Sequence, residues 1–449
     1  MKKLIKQMFF LSLAAGLATA QDSGTPVMLT LEKAIQLAMR QNTDLQTSRL
    51  DVVKADARVS EAWGYTMPSV DLSGQYIRTL KSPVFFISDS TGRPTPLRIG
   101  AAHSANATLQ VRQLLFNGTV FAGVGAAGTY SEVARDVFRG KKLETVIRVK
   151  KAFYGAVLSG EVRGMMRSNL SNAEDNLKNV NLLRGQGILS EYDELRATVG
   201  VENLRPMVIQ AETNYTLALE GLKSIAGLSP SDRIQLEGTM RFEAVDDSLL
   251  ARASSLILQN NPNYAALEGQ ILVNEAFVLA EKSNYLPTVA AFGSYQYQAA
   301  KNSFNMSTED FLASSQVGLS VSWSLFQGFQ TNARVQQAQV EVLKSEEQKT
   351  NVGRNLKIGL MATVGSLQAA RKRIEAQERT VEQAERGYKI VTTRFLSNSA
   401  TQLEVNDAQL ALTQARVNRV QAIYDYLIAG AELDQLIGRL PAYVQREEN

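Results

Sequence analysis

The side chains that most often carry enzymatic chemistry are scarce in this sequence. It contains no cysteine and a single histidine, His103, among 449 residues. Thiolate nucleophiles, disulfide frameworks and cysteine-based zinc sites are therefore excluded, and histidine-based metal sites lack ligands. His103 has no Asp, Glu or Cys near it in the sequence, so we predict a solvated loop histidine. We expect no catalytic constellation, resident metal or cofactor, and no enzyme.

One glycine pattern formally fits a dinucleotide-binding fingerprint. Gly123, Gly125 and Gly128 have the G-x-G-x-x-G spacing and follow a predicted strand. The helix predicted after them is far too long for a βαβ unit. In an internal repeat described below, the corresponding positions carry alanine, valine and alanine. The pattern therefore predicts only small or helix-compatible residues at the start of a helix.

The charge balance is set largely by the first residues. The sequence holds 48 Lys and Arg against 44 Asp and Glu, a net charge of +4, and Lys2, Lys3 and Lys6 supply three of those charges. An apolar stretch and an A-x-A site follow, which is the layout of a secretory signal peptide over residues 1–20. The remaining chain has a net charge of 4 − 3 = +1, so no nucleic-acid partner is implied.

Two long spans of the sequence contain no proline. None of the ten prolines lies between residues 97 and 205 or between 288 and 440. Because proline ends or kinks helices, both spans can hold very long helices, and they are rich in good helix formers. Helices there should pack as antiparallel coiled coils.

The sequence indicates that the chain consists of two internal repeats. Residues 42–76 and 261–295 share seven identities in 35 positions, and residues 109–118 and 319–328 share five in ten. We predict a first repeat over residues 21–227, a linker over 228–245 and a second repeat over 246–449. The first repeat has nine extra residues, which fall in a predicted loop over residues 81–103.

Each repeat contains a predicted strand hairpin, at about residues 69–116 and 288–326. The clearest strand alternates strictly between apolar and small or polar residues, with the apolar positions at Val317, Leu319, Val321, Trp323 and Leu325. A soluble half-buried sheet and a membrane-spanning strand share this pattern. If the strands cross a bilayer, two hairpins are too few to close a barrel, so several chains must share one.

Turn signals divide the long helices. The first should end at Gly185 and Gly187, where glycine can adopt the left-handed conformation, and Ser190 should cap the next helix. The second repeat turns between Phe395 and Ala400, and we predict that its last long helix starts near Ser399.

These features, taken in order, resemble the TolC family of outer-membrane efflux and secretion channels. The segments that carry the resemblance are Leu29–Ala38 with Gln41 and Asn42, Met67-Pro68, Leu286-Pro287, Leu115–Gly118 and Leu325–Gly328. In that family three chains each give four strands to one twelve-stranded barrel, and long antiparallel helices continue as a periplasmic α-barrel. The resemblance implies a mixed α and β homotrimer in outer-membrane lipid that extends into the periplasm. It also implies contact with a periplasmic adaptor and, indirectly, with an inner-membrane transporter.

The resemblance also implies roles for particular residues. Glu404 and Asp407 match acidic positions of the family's periplasmic constriction, with Asp193 the next candidate, although acids in a first helical turn are favoured by the helix dipole alone. The adaptor should contact residues at the helix tips: Gly185, Gly187, Ser190, Ser397 and Ala400. Phe395 and Ala400 stand where some relatives have residues that latch the closed aperture.

Two other functions stay open. A periplasmic coiled-coil adaptor or structural protein without a pore would share the helices, but it would need a β-rich lipoyl-like module that the sequence lacks. A single-chain porin would need at least eight strands. Neither the transported cargo nor the energy source follows from the sequence.

Overall fold

The computed structural model describes residues 27–88, 92–397 and 399–445; the predicted signal peptide lies outside them. The strands are β1 Val27–Leu29, β2 Ser69–Arg78, β3 Val84–Ser88, β4 Pro94–Arg98, β5 His103–Phe116, β6 Ile234–Leu236, β7 Thr288–Lys301 and β8 Leu312–Ser322. The helices are α1 Leu31–Gln41, α2 Thr43–Gly64, α3 Gly118–Gly185, α4 Glu191–Ala226, α5 Asp247–Asn260, α6 Pro262–Lys282, α7 Gln330–Leu396, α8 Gln402–Leu436 and α9 Ala442–Gln445. Within these ranges, no helix has the length and apolarity needed to cross a bilayer.

The two proline-free spans form the two longest helices described. Helix α3 has 68 residues and α7 has 67, which confirms the prediction of very long helices. Each contributes to both of the compact units into which the chain divides. One unit comprises residues 47–141 and 254–358; the other comprises residues 142–253 and 359–445 with the N-terminal residues up to Gln46.

The first unit is built around a four-stranded antiparallel sheet. Its strand order is β2-β5-β7-β8, so the hairpin of the second repeat adds directly to that of the first. The central pairing joins β5 to β7, with Leu109 opposite Tyr295 and Val111 opposite Gly293. Strands β2 and β8 have no partner on their outer sides among the described residues. The sheet therefore has two open edges.

Residues directly opposite in an antiparallel ladder share a face. The register therefore puts Ile77, Leu114, Phe292 and Leu312 on one face and eight other apolar residues, from all four strands, on the opposite face. These residues are Val70, Leu72, Leu109, Val111, Val289, Val317, Leu319 and Val321. The other face carries polar residues, among them Asp71, Ser73, Gln75, Gln110, Ser294, Gln296, Gln316 and Ser320. The dyad pattern found in one strand thus extends across the whole sheet.

The strand that was predicted to carry apolar positions from Val317 to Leu325 ends three residues early, and its contact with lipid stays a prediction. Strand β8 ends at Ser322, so Trp323 and Leu325 lie beyond it, although both are exposed. The last pair of the ladder is Thr288 with Ser322, and the residue before Thr288 is Pro287. Proline has no N–H to donate, so the ladder cannot continue to Trp323. The Trp323 Nε1 instead donates to the Tyr285 carbonyl at 3.0 Å.

The loop prediction over residues 81–103 was wrong for much of its length. Strands β3 and β4 pair in antiparallel fashion within it, because Val84 to Ile87 is a run of strand-forming apolar residues. His103 is also not a loop residue, since it opens β5 and lies between Arg78 and Lys301 in the ladder. Its Nδ1 is 2.6 Å from the Tyr76 hydroxyl.

The second unit contains a short parallel pair. Strand β6, within the predicted linker, pairs with β1 at the start of the chain's described part. Asn42 lies near this pair in sequence and caps α2, its Oδ1 accepting from the Leu45 N–H at 3.1 Å, while its Nδ2 donates to the Ile225 carbonyl at 3.0 Å. In the first unit, Asn261 caps α6 in the same way. The repeated asparagine therefore has a structural role in both repeats.

Candidate functional site

The first helix tip joins α3 to α4. Helix α3 ends at Gly185, Gly187 has a φ of 74°, and the Ile188 N–H donates to the Leu183 carbonyl at 2.9 Å. This is a glycine C-cap, which confirms the predicted turn at Gly187. Gly185 itself is still helical. An ion pair between Arg184 and Glu194 also closes the tip.

Ser190 caps α4, as predicted. Its side chain accepts from the Asp193 N–H at 3.3 Å, and the Asp193 carboxylate accepts from the Ser190 N–H at 3.1 Å. This reciprocal pair is a capping box. Asp193, a candidate constriction residue, therefore has a structural partner at the tip.

The second tip joins α7 to α8 and has the same design. The predicted helix start near Ser399 was three residues early, because Thr401 is the cap and α8 begins at Gln402. The Glu404 carboxylate accepts from the Thr401 N–H at 2.7 Å, and the Glu404 N–H donates to Thr401 Oγ1 at 3.3 Å. Glu404 and Asp193 thus occupy equivalent capping positions in the two repeats.

Asp407 differs from these two carboxylates. It lies one turn further along α8 and is exposed, and no hydrogen bond or ion pair is described for its side chain within residues 399–445. Because residues three apart share a helix face, Asp407 lies on the same side of α8 as Glu404. The helix cap explains Glu404 and leaves Asp407 without a structural role in the single chain.

A buried apolar cluster connects the two tips within the second unit. Its buried members are Val180, Ala197, Phe395 and Val405, one from each of α3, α4, α7 and α8. Ala400 packs against this cluster, and Phe395 is only 6% exposed. Burial of this size holds both turns in one arrangement. Phe395 and Ala400 therefore pack in the apolar core of the tips. Their side chains have no polar group that could form a latching hydrogen bond.

Ser397 and Ser399 form the outer part of the second tip. The Ser397 hydroxyl donates to the Arg394 carbonyl at 3.0 Å, and the Arg394 guanidinium donates to the Ser399 carbonyl at 2.8 Å. Ser190 and Ser397 are both exposed at their tips. Contact of these residues with an adaptor stays a prediction.

Sequence reasoning missed a polar layer behind the tips. A cavity of about 220 Å³ lies between helices here, and its lining is rich in carboxamides. Gln409 donates to Asn169 Oδ1 at 2.6 Å, and Asn169 in turn donates to Thr413 Oγ1 at 2.6 Å. The Asn and Gln residues of α3 and α8 are visible in the sequence, but no local pattern shows that the two helices bring them together. No group of His, Cys, Asp or Glu within the described ranges could hold a metal ion.

The geometry defines a class of protein. A sheet with one apolar face and open edges, joined to helices of 68 and 67 residues that end in duplicated turns, is the build of an outer-membrane channel protomer. The sequence model of the outer membrane efflux protein family matches residues 34–228 and 253–439. The chain belongs to that family, which confirms the resemblance.

Individual relatives agree with this assignment. The alkaline protease secretion protein AprF of Pseudomonas aeruginosa is 23% identical over 73% of this chain and 68% of its own length. The outer membrane protein TolC of Escherichia coli is 21% identical over 98% of this chain and 87% of its own length. The structure of the outer membrane protein VceC of Vibrio cholerae matches with a TM-score of 0.75 at 16% identity, covering 91% of this chain and 96% of that one.

The family sets the location and the class of function. The protein is an outer-membrane efflux component that extends into the periplasm, and members of this family are channels rather than enzymes. This confirms the predicted location and class of function.

Proposed function

We propose that three copies of the chain form an exit duct through the outer membrane for an efflux or type I secretion system. A periplasmic adaptor docks on the helix tips, and an inner-membrane transporter delivers the cargo. One relative, AprF of Pseudomonas aeruginosa, is an alkaline protease secretion protein, so a protein cargo fits this class. The alternative, an adaptor or structural coiled coil without a pore, has no use for an apolar sheet face.

The observation that carries the proposal is the sheet. Val317, Leu319 and Val321 are 90%, 70% and 67% exposed on its apolar face, which is costly in water. In lipid the apolar face is removed from water, but the N–H and C=O groups of the open edges lack hydrogen-bond partners. Pairing β2 of one copy with β8 of the next satisfies both requirements. Three copies then give 3 × 4 = 12 strands, within the range of closed membrane barrels.

The long helices support a duct that crosses the periplasm. A helix of 68 residues, such as α3, rises about 100 Å at about 1.5 Å per residue. Exposed apolar residues occur along α4, α7 and α8, among them Met207, Ile358 and Leu410. We infer that neighbouring copies cover them in a helical barrel, with the tips at its periplasmic end.

We also propose that Asp407, with Glu404 beside it, lines the periplasmic opening. In a trimer each carboxylate recurs three times around one axis, which favours cations in the opening. Asp193 is the next candidate: its carboxylate is held by a cap like that of Glu404, but no acid stands three residues further along its helix as Asp407 does on α8. The tip residues Gly185, Gly187, Ser190, Ser397 and Ala400 form the proposed adaptor contact.

The mass of the detergent-extracted protein and its conductance test the duct. We expect the mass of three chains by light scattering, with detergent subtracted, and stepwise conductance in planar bilayers. A single-chain mass without conductance would contradict the duct. A trimer without conductance would favour the structural coiled coil.

A further inference from the structure

The hairpin β3–β4 extends the sheet at the end remote from the helices. The Thr79 N–H donates to the Ala102 carbonyl at 2.8 Å, directly after the pair of Arg78 and His103. Further along, the Ile99 N–H donates to the Pro83 carbonyl at 3.4 Å. The hairpin is thus a continuation of the β2–β5 ladder. It contains the extra residues of the first repeat and has no role in the duct described above.

The hairpin exposes an unusual amount of apolar surface. Leu80 is 85% exposed and Phe86 is 73% exposed, and further exposed apolar side chains are Val84, Phe85, Ile87, Leu97 and Ile99. Exposed apolar surface in this amount is typical of an interaction site with a protein or a membrane.

Cations accompany these apolar side chains. From Arg78 to His103 the sequence contains Arg78, Lys81, Arg93 and Arg98 but only one acid, Asp89. Arg78, Lys81 and Arg98 are exposed, and no ion pair is described for them within residues 27–88 and 92–397. Lys301, opposite His103, differs because it pairs with Asp310 at 2.9 Å. The exposed residues of the hairpin together with Arg78, Lys81 and Arg98 are called the basic hairpin surface below.

The register of the β2–β5 ladder gives the depth of Arg78 relative to Leu72. On the apolar face Leu72 is followed by Tyr76 and then Arg78. At about 3.4 Å per residue, Arg78 lies roughly 20 Å from Leu72 and about 7 Å beyond Tyr76. Tyrosines mark the boundary between acyl chains and headgroups in membrane barrels. Arg78 therefore lies at headgroup depth if Leu72 faces acyl chains.

We propose that the basic hairpin surface binds the phosphate groups of an anionic lipid in the outer leaflet. This inference rests on the membrane placement of the sheet given under Proposed function. Charge complementarity and continuity with the apolar face both favour a phosphate-bearing lipid. Packing of identical hairpins on one another over the pore is disfavoured, because each copy brings the same cations.

Lipid binding by the full-length protein in nanodiscs tests the proposal. The probes are lipid A with two phosphates and the same lipid A after enzymatic removal of both, counted on the protein by native mass spectrometry. The test variant is Arg78→Ser with Lys81→Ser and Arg98→Ser. The matched control removes three exposed cations elsewhere, as Arg112→Ser with Arg354→Ser and Lys357→Ser.

We expect wild type and control to bind phosphorylated lipid A equally. Each cation near an anionic surface strengthens binding by about fivefold, so the test variant should bind roughly 100-fold more weakly. Dephosphorylated lipid A should bind all three proteins weakly and alike.

Other results would overturn the proposal. Equal binding of both lipids by wild type would remove the phosphate site. A test variant that binds lipid normally but opens to a larger conductance would assign the hairpin to the pore mouth. A loss of trimer with unchanged lipid count per chain would assign it to contacts between copies. If the wild-type protein forms neither a trimer nor a conducting channel, the proposed duct itself is rejected.

Discussion

The two acids proposed for the periplasmic opening have different local functions. Glu404 closes a capping box, and glutamine at that position can close the same box, so Glu404→Gln should leave α8 intact. Asp407 has no such partner within the described part of α8. Neutralising Asp407 therefore changes the charge of the opening without changing the fold of the tip.

We predict that Asp407→Asn with Glu404→Gln abolishes block by a trivalent cation added on the periplasmic side of a planar bilayer. Cation selectivity should fall as well, because the opening then loses its carboxylates. Asp407→Glu, which keeps the charge, is the control and should stay blocked. Persistent block in the doubly neutralised channel would place the selective ring elsewhere, with Asp193 the next position to change.

A second acid gives a prediction about stability and pH. Burial in α3 raises the pKa of Glu161 above its ordinary value of 4.5, and Arg419 only partly offsets this effect. The folded chain therefore binds the proton more tightly than the unfolded chain. The stability contribution of Glu161 should fall as pH rises through the interval between the two pKa values, and at neutral pH the carboxylate opposes folding.

Glu161→Gln should therefore raise the unfolding temperature in detergent at pH 7, and the gain should vanish below about pH 4, where both states are protonated. Circular dichroism of the helices measures this difference. Glu347→Gln, at an exposed position on α7, is the control and should change little at either pH. An equal gain at both pH values would mean that the glutamine acts through packing and not through charge.

At the scale of elements, strand β8 is the most sensitive test of the membrane placement. Leu319 is on the apolar face and Ser320 on the polar face, one residue apart. An arginine at the bilayer midplane of a barrel costs about 2–4 kcal/mol. Leu319→Arg should therefore reduce the heat-modifiable trimer, whereas Ser320→Arg should assemble and change conductance. Equal assembly of the two variants would contradict the assignment of faces.

The second helix tip is a separate element with a separate prediction. Ser397 is exposed between α7 and α8, outside the buried cluster around Phe395. If the tip docks an adaptor, Ser397→Trp should abolish adaptor cross-linking and export while trimers still form. Leu343→Trp is the matched control, because Leu343 is exposed near the start of α7 and is far from this tip in the sequence. Normal cross-linking and export with Ser397→Trp would place the docking surface elsewhere.

Local signals in the sequence predicted these elements well where they depend on a few neighbouring residues. The left-handed turn at Gly187 and the cap at Ser190 are examples, because glycine and serine act there through their own backbone and side chain. The start of α8 was misplaced because Thr401 with Glu404 makes a stronger cap than Ser399. Pro206 is a counterexample, because proline usually ends or kinks a helix and α4 nevertheless continues through it.

At the scale of the whole molecule, contacts between repeats were harder to predict. Pairing of β5 with β7 depends on residues far apart in the chain, and no local pattern specifies it. Helix α8 is an example, because its Leu410 is 67% exposed while its Gln402 and Thr413 are buried. The apolar positions of one sequence include helix faces that pack within the chain and helix faces that pack against other copies. The two kinds of face cannot be told apart without the fold.

The open edges of the sheet have a genetic consequence. In the proposed duct, β2 and β8 each pair with another copy, so one defective chain also deprives two others of a closed barrel. A cell that makes wild-type and Leu319→Arg chains in equal amounts, mixing at random, would build only about one assembly in eight entirely from wild-type chains. Resistance or secretion should then drop well below half in such a merodiploid. A variant at the edge of this sheet should therefore be dominant, whereas a null allele should be recessive.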